Sequence, residues 1–196
     1  MEMVAETLEE AGFKTFLPHR DGFLYGAVVQ EIMKVGYPLN VAQWMTRQAI
    51  FALDVQQVLT GCDATVVNLN GRVPDEGAVA EGAIAWTAGK VVVFFKDDAR
   101  SPIDGLDNPL VVGLGGFRLV KQIDALPKAL SRALSNSPSP PLGLAALPVM
   151  VRHMVELGQH ISEALGSGEP TQLVPTIIQL FDEFQGAPKT STLFRQ

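Results

Sequence analysis

The hydrophobic positions of the chain alternate between helical spacing and short buried runs, which is the pattern of an α/β protein. Helical spacing recurs in Val41 to Leu59. The run Ala64 to Leu69 is β-branched and nearly continuous, as in a buried strand of a parallel sheet, and Val91 to Phe95 repeats this pattern. Between them, Ala78 to Ala88 is rich in alanine and ends at Gly89, which predicts a helix packed against the sheet. The order of these elements predicts a parallel βαβ unit.

Further elements are expected on either side of this unit. Met3 to Ala11 has an apolar face and a surrounding of glutamates, which predicts an amphipathic helix. Phe13 to Leu17 is short, apolar and partly β-branched, and predicts a strand that leads into a polar turn at residues 19–22. Ile123 to Leu134 predicts the last helix of the core.

The rest of the chain divides into a linker and a helical extension. Residues 135–148 contain four prolines, which is typical of a linker. Beyond it, Val149 to Leu165 and Thr171 to Phe184 have the spacing of two amphipathic helices. We therefore expect an α/β domain in residues 1–134 and a helical C-terminal extension in residues 149–196.

Composition and charge exclude several classes of function. The net charge of -6 and the scattered basic residues give no surface for the phosphates of duplex nucleic acid. Cys62 is the only cysteine, so the chain has neither an internal disulfide nor a cysteine-rich zinc site. No apolar run approaches the roughly 20 residues that cross a bilayer. We expect a soluble, cytoplasmic protein that does not bind a membrane.

Acidic residues are placed where a parallel α/β sheet binds its ligands, which is at the carboxyl ends of the strands. Asp21 and Asp75 lie in predicted loops, and Glu81 follows in the helix. Glu81 has alanine, valine and isoleucine around it, and a buried carboxylate must be paired, hydrogen-bonded or functional. A solvated helix carboxylate is the alternative for Glu81. Asp63 precedes its strand, so spacing alone does not place it at this edge.

Several segments follow one another in a distinctive order. They are Gly12 to Gly22, Ile50-Phe51 with Asp54, Cys62 to Arg72, Pro74 to Glu81, Ala85, and Gly89-Lys90. Together they resemble the nucleoside 2-deoxyribosyltransferase family, over a range from about Ala11 to Leu134. Pro74 to Glu81 is the most specific of these segments, and their order and spacing give the resemblance its strength.

The resemblance implies a flavodoxin-like (Rossmann-like) parallel sheet flanked by helices, and the transfer of 2-deoxyribose between nucleobases. It implies that Glu81 is the nucleophile, that Asp75 holds the sugar and assists proton transfer, and that Asp63 is a second active-site aspartate. The substrates would be a deoxynucleoside and a free nucleobase. The implied chemistry needs no metal and no cofactor.

The resemblance also implies substrate-binding residues outside this acidic group. His19, Arg20 and Asp21 lie in a loop that the family uses near the base, although a plain solvated turn is the alternative for His19 and Arg20. Asn108 is similar to the asparagine that the family lends to the active site of the neighbouring subunit. We therefore expect a homo-oligomer.

One part of the family pattern is missing from the sequence. The family begins with a strand that precedes the first helix of this chain and lies in the middle of the sheet. We expect the sheet to lack this first strand and the natural start to lie upstream. Another segment in the same place, or a loss of activity, are the alternatives.

Two other functions fit the same residues. An N-glycoside hydrolase of nucleosides or nucleotides would use Glu81 in the same way and let water accept the sugar. A non-catalytic nucleotide-binding module would keep the fold alone. The presence of Asp63, Asp75 and Glu81 together favours an enzyme.

Overall fold

The protein is an α/β structure with a three-stranded parallel sheet flanked by helices. The computed structural model describes residues 1–71, 73–100, 107–137, 140–166 and 173–180. The strands are β1 (Ala64–Asn68), β2 (Val91–Phe95) and β3 (Leu119–Val120), in the order β1-β2-β3. β1 and β2 run parallel, from Ala64 opposite Val91 to Asn68 opposite Phe95.

The helices cover both faces of the sheet and continue beside it. In chain order they are α1 (Glu2–Glu10), α2 (Pro18–Asp21), α3 (Tyr25–Val35), α4 (Leu39–Gln56), α5 (Glu76–Thr87), α6 (Pro109–Val112), α7 (Leu126–Ser135), α8 (Val149–Gly166) and α9 (173–180). Short 3-10 turns lie at Gly113–Gly115, Ile123–Ala125 and Leu144–Ala146. α4 runs into a π turn at Gln57–Gly61, which the Cys62 N–H closes by donating to the Gln57 carbonyl at 2.8 Å.

The alternation of side chains along β2 gives the sheet two covered faces. Val92 and Phe94 belong to a buried cluster that contains Ala85 of α5. Val93 and Phe95 belong to a different cluster, which residues of α1 and α7 complete. The sheet is therefore packed between α5 on one side and α1 with α7 on the other.

A second core, made of helices alone, lies beside the sheet. It combines buried residues of α3, α4, α8 and α9, including Ile32, Met45, Ile161 and Ile177. α8, predicted as part of a C-terminal extension, packs closely against α4 in this core. Among the described residues, no helix is both long and apolar enough to cross a membrane.

The sequence predictions for β1, α5, β2, α4 and α8 are confirmed, with ends that differ by a few residues. The last core helix is also present, as α7 after a 3-10 turn. Between β2 and β3 the chain forms α6, and residues 101–106 are outside the described residues. Of the predicted helix from Thr171 to Phe184, only residues 173–180 are described, and these are helical.

The predicted strand from Phe13 to Leu17 is wrong. This segment has no strand structure, because its backbone groups find local partners instead. The Phe13 N–H donates to the Leu8 carbonyl at the end of α1, and the Leu17 N–H donates to the Asp21 carboxylate at 2.7 Å. The polar turn that follows is the short helix α2. In the described part of the chain, no strand precedes β1, which lies at an edge of the sheet.

Candidate active site

Asp75 begins the helix that carries Glu81. It is the N-cap of α5, and its Oδ1 accepts the Ala78 N–H at 2.9 Å. Such a cap satisfies one of the N–H groups that the first turn of a helix leaves without an intrahelical partner. One oxygen of this exposed carboxylate is thus bound to the helix, and the other oxygen can bind a ligand.

Glu81 directly precedes a close contact between α5 and the sheet. The next residue is Gly82, and a Cβ atom on it would be 3.0 Å from Val67 Cγ2, so a larger residue would fit tightly there. Glu81 is half-buried. It precedes Ile84 by three residues and Ala88 by seven, which places all three on one stripe of the helix. Ile84 and Ala88 pack with residues of α4, so Glu81 faces α4.

Asp54 of α4 is the carboxylate on the side of the helix that Glu81 faces. It is half-buried and precedes Val55, which packs in the same cluster as Ile84. Burial raises the pKa of Asp54 to about 6. Burial, followed by the negative charges of Asp54 and Asp75, raises the pKa of Glu81 to about 7. The carboxyl groups of α4 and α5 can therefore retain a proton near neutral pH.

Asp63 lies at the other end of β1. It is exposed and directly precedes the strand, whereas the loop into α5 follows the strand. Its neighbours are Cys62 and Lys90, whose ammonium group donates to the Cys62 carbonyl. Burial raises the pKa of the Cys62 thiol and lowers that of Lys90, and the charge of Asp63 acts on both. The charge of Glu81 also acts on Cys62. The catalytic role of Asp63 stays a prediction.

Arg20 and Asp21 are bound to each other and to α1. The Arg20 guanidinium contacts Glu9 at 2.9 Å and Asp21 at 2.8 Å. Asp21 also accepts the Leu17 N–H, and its pKa is lowered by these partners, mostly by the hydrogen bond from Arg20. These contacts give both residues a structural role in fixing α2.

The turn that contains His19 lies beside α4. His19 Nε2 is 3.8 Å from the Glu2 carboxylate, and both side chains are mostly exposed. A Cβ atom on Gly22, at the end of the turn, would be 3.8 Å from Leu53 Cδ2. Leu53 belongs to the helical core of α3, α4, α8 and α9. The substrate-binding role of His19, Arg20 and Asp21 stays a prediction.

Asn108 lies at the start of α6. Its Oδ1 accepts the Leu110 N–H at 2.9 Å and so caps the helix. The residue before it, Asp107, forms an ion pair with Lys96, which directly follows β2. The side chain of Lys96 is 4% exposed and that of Asp107 is 10% exposed. The predicted binding residue Asn108 is thus attached to the carboxyl end of β2.

Polar residues that follow β1 and β2 bind each other at this edge of the sheet. Asn70 and Asp97 exchange two hydrogen bonds, of 2.5 Å and 3.1 Å. The Gly71 N–H donates to the Asp98 carboxylate at 3.0 Å, and Arg100 binds the same carboxylate. None of these residues was predicted from the sequence to be a site residue. Their position directly after two predicted strands was the signal that could have identified them.

An apolar groove lies on another side of α4. It is lined by residues of α4, α8 and α9. Trp44, Leu157 and Ile161 are among its lining residues, and Gln48 is the polar one. The groove therefore offers none of the carboxylate chemistry found near Glu81. In the described parts of the chain, no three histidine, cysteine or acidic residues are grouped to hold a metal ion.

No family model matches the chain, and no curated protein matches it. The sequence motifs and the geometry around Glu81 are therefore the basis for inferring a function.

Proposed function

We propose that the protein is a nucleoside 2-deoxyribosyltransferase, which moves 2-deoxyribose from one nucleobase to another through a glycosyl-enzyme intermediate on Glu81. One observation carries this proposal. Glu81 is a half-buried carboxyl group on the stripe of α5 that faces α4, where Asp54 provides a second half-buried carboxyl group. Retaining transfer at an anomeric carbon requires a carboxylate nucleophile and a second carboxyl group that handles a proton.

The first half of the proposed reaction forms the intermediate. An oxygen of Glu81 bonds to C1′ of the sugar while the C1′–N bond breaks through an oxocarbenium-like state. The departing base keeps the electron pair of that bond and takes up a proton. In the reactive form Glu81 is ionised and Asp54, whose pKa burial raises to about 6, carries this proton. The resemblance of the sequence gives Asp75 a part in the same transfer.

The second half reverses these changes with a different base. A nitrogen of the incoming base attacks C1′, the bond to Glu81 breaks, and the carboxylate is released. The proton of the incoming base returns to the carboxyl group that supplied the first proton. Because C1′ is inverted twice, the product keeps the configuration of the substrate.

We infer the remaining features from the resemblance of the sequence. They are a flavodoxin-like arrangement, a homo-oligomer in which Asn108 reaches a neighbouring site, and a cytoplasmic location. The three parallel strands with helices on both faces support the first of these. The exposed position of Asn108 supports the second, since its amide is accessible to another molecule.

A base-exchange assay tests the proposal. The protein is incubated with deoxyinosine and free adenine, and the products are separated by chromatography. Deoxyadenosine is expected from the wild type and from Glu76→Gln, an exposed glutamate of the same helix, and is expected to be lost in Glu81→Gln. Equal activity of the two variants would exclude Glu81 as the nucleophile.

The same assay separates the two alternative functions. Free deoxyribose and hypoxanthine without deoxyadenosine would identify a hydrolase that passes the sugar to water. Calorimetry with deoxyinosine is added if no product forms. Binding without turnover would then favour a nucleotide-binding module over an enzyme.

A further inference from the structure

Lys96 forms a buried ion pair with Asp107 at the carboxyl end of β2. The Lys96 N–H also donates to the Val120 carbonyl of β3 at 2.9 Å, so the sheet fixes the backbone of Lys96. Burying two charges has a desolvation cost that offsets most of their attraction, and an apolar pair would serve stability as well. The more specific effect of the pair is geometric, because it joins the end of β2 to the segment before α6.

The segment held by this ion pair includes the predicted binding residue Asn108. The Asn108 side chain accepts the Leu110 N–H, and its carbonyl accepts the N–H groups of Val111 and Val112, both at 3.0 Å. These bonds form the first turn of α6. Since the Oδ1 atom is engaged in the cap, the Nδ2 group is the part of the side chain that can donate to a ligand.

We propose that Lys96 is a positioning residue for Asn108. The ion pair holds the peptide between Asp107 and Asn108 against the end of β2, and this fixes both the start of α6 and the place of the Asn108 amide. At 4% exposure, Lys96 itself is closed to substrate. The identity of the ligand as a deoxynucleoside rests on the proposed function, whereas the positioning effect does not depend on it.

Hydrogen exchange in Lys96→Met tests the positioning effect without an activity assay. The amides of Leu110, Val111 and Val112 are expected to exchange about tenfold faster than in the wild type, because their acceptors on Asn108 are released. The control is Met154→Ala, which removes a buried side chain of α8 and should accelerate exchange in that helix instead. Unchanged exchange at residues 110–112 in Lys96→Met would overturn the proposal, as would an equal rise throughout α7 and α8.

Kinetics test the consequence for substrate. In Lys96→Met the KM for deoxyinosine is expected to rise about tenfold, with kcat changed less than about threefold, because Lys96 acts on binding and not on Glu81. Asn108→Ala should give a similar KM, and the two substitutions together should add little to either. If the effects of the two substitutions on KM add fully, or if Lys96→Met lowers only kcat, Lys96 does not act through Asn108.

A second variant guards against misfolding. Lys96→Met alone leaves the Asp107 carboxylate buried without its cation, whereas Lys96→Met with Asp107→Asn removes both charges and the ion pair together. The double variant should show the same faster exchange at residues 110–112, and Lys96→Arg should restore part of the protection. If the wild type shows no base exchange but the variants show these local changes in hydrogen exchange, the proposed transferase function is rejected. The positioning role of Lys96 is then retained.

Discussion

Gly158 of α8 touches the backbone of α4 at Ala52. A Cβ atom on Gly158 would be 2.1 Å from the Ala52 carbonyl oxygen and 2.4 Å from Gln56 Cβ. Both distances are far below van der Waals contact, and the first involves backbone that a rotamer change cannot move. The crossing of α4 and α8 therefore requires a residue without a side chain at position 158.

We expect Gly158→Ala to lower the free energy of unfolding by about 1–3 kcal/mol, because the methyl group forces the two helices apart. The matched control is Gly166→Ala at the end of the same helix, where a Cβ atom would have no neighbour within 4 Å. Urea unfolding measures both variants. A midpoint for Gly158→Ala equal to that of the wild type would contradict the close crossing of α4 and α8.

Asp54→Asn should lower the pKa of Glu81. Two negative charges raise the pKa of Glu81, and that of Asp54 has the larger effect. Its removal makes Glu81 easier to ionise. Asp75→Asn removes the other charge and should lower the pKa less. The titration of the Glu81 carboxyl carbon, followed by NMR, measures both shifts. No shift in Asp54→Asn would show that α4 does not place this charge near Glu81.

Stability should fall as the pH rises from about 4.5 to about 7, in part because of Glu81. In this window the unfolded chain loses the Glu81 proton while the folded protein, with a pKa of about 7, retains it. Relative to the wild type, Glu81→Gln should therefore gain about 1–3 kcal/mol of stability between these limits, and nothing further above them. Urea unfolding across the pH range measures the difference. A difference between Glu81→Gln and the wild type that does not change with pH would argue against the raised pKa of Glu81.

Asp75 has a structural and a proposed chemical role, which two substitutions separate. Asp75→Ala removes the cap of α5 and should cost about 0.5–2 kcal/mol of stability, whereas Asp75→Asn keeps a capping oxygen and should cost much less. If the carboxylate also serves the reaction, Asp75→Asn should still lose base exchange. Thermal unfolding and the exchange assay are run on both proteins, and full activity in Asp75→Asn would limit the residue to its cap.

The central βαβ unit could be predicted because its signals are local and agree with one another. β1 and β2 are short, nearly continuous apolar runs, and α5 between them has its own capping residue and is followed by Gly89. The segment from Phe13 to Leu17 has a similar composition and was predicted wrongly. Strand formation depends on a pairing partner elsewhere in the chain, and composition alone does not report it.

The candidate site could be predicted only in part. Glu81 and Asp75 are close in sequence, so one motif identified both. Asp54 was part of the resemblance but could equally be read as a helix-surface residue, because its approach to Glu81 depends on how α4 packs against α5. α3 was missed although Val28 and Ile32 have helical spacing before Gly36, which ends the helix with a left-handed φ of 117°.

The π turn at Gln57–Gly61 makes the middle of the chain sensitive to length. A π turn contains one residue more than an α-helical turn, and each residue of a helix rotates the chain by about 100°. Deleting one residue here would restore regular winding and turn the entry into β1 by that angle relative to Asp54. Insertions and deletions should therefore be far less tolerated in this segment than in the turn at Leu144–Ala146, even though neither contains a proposed catalytic residue.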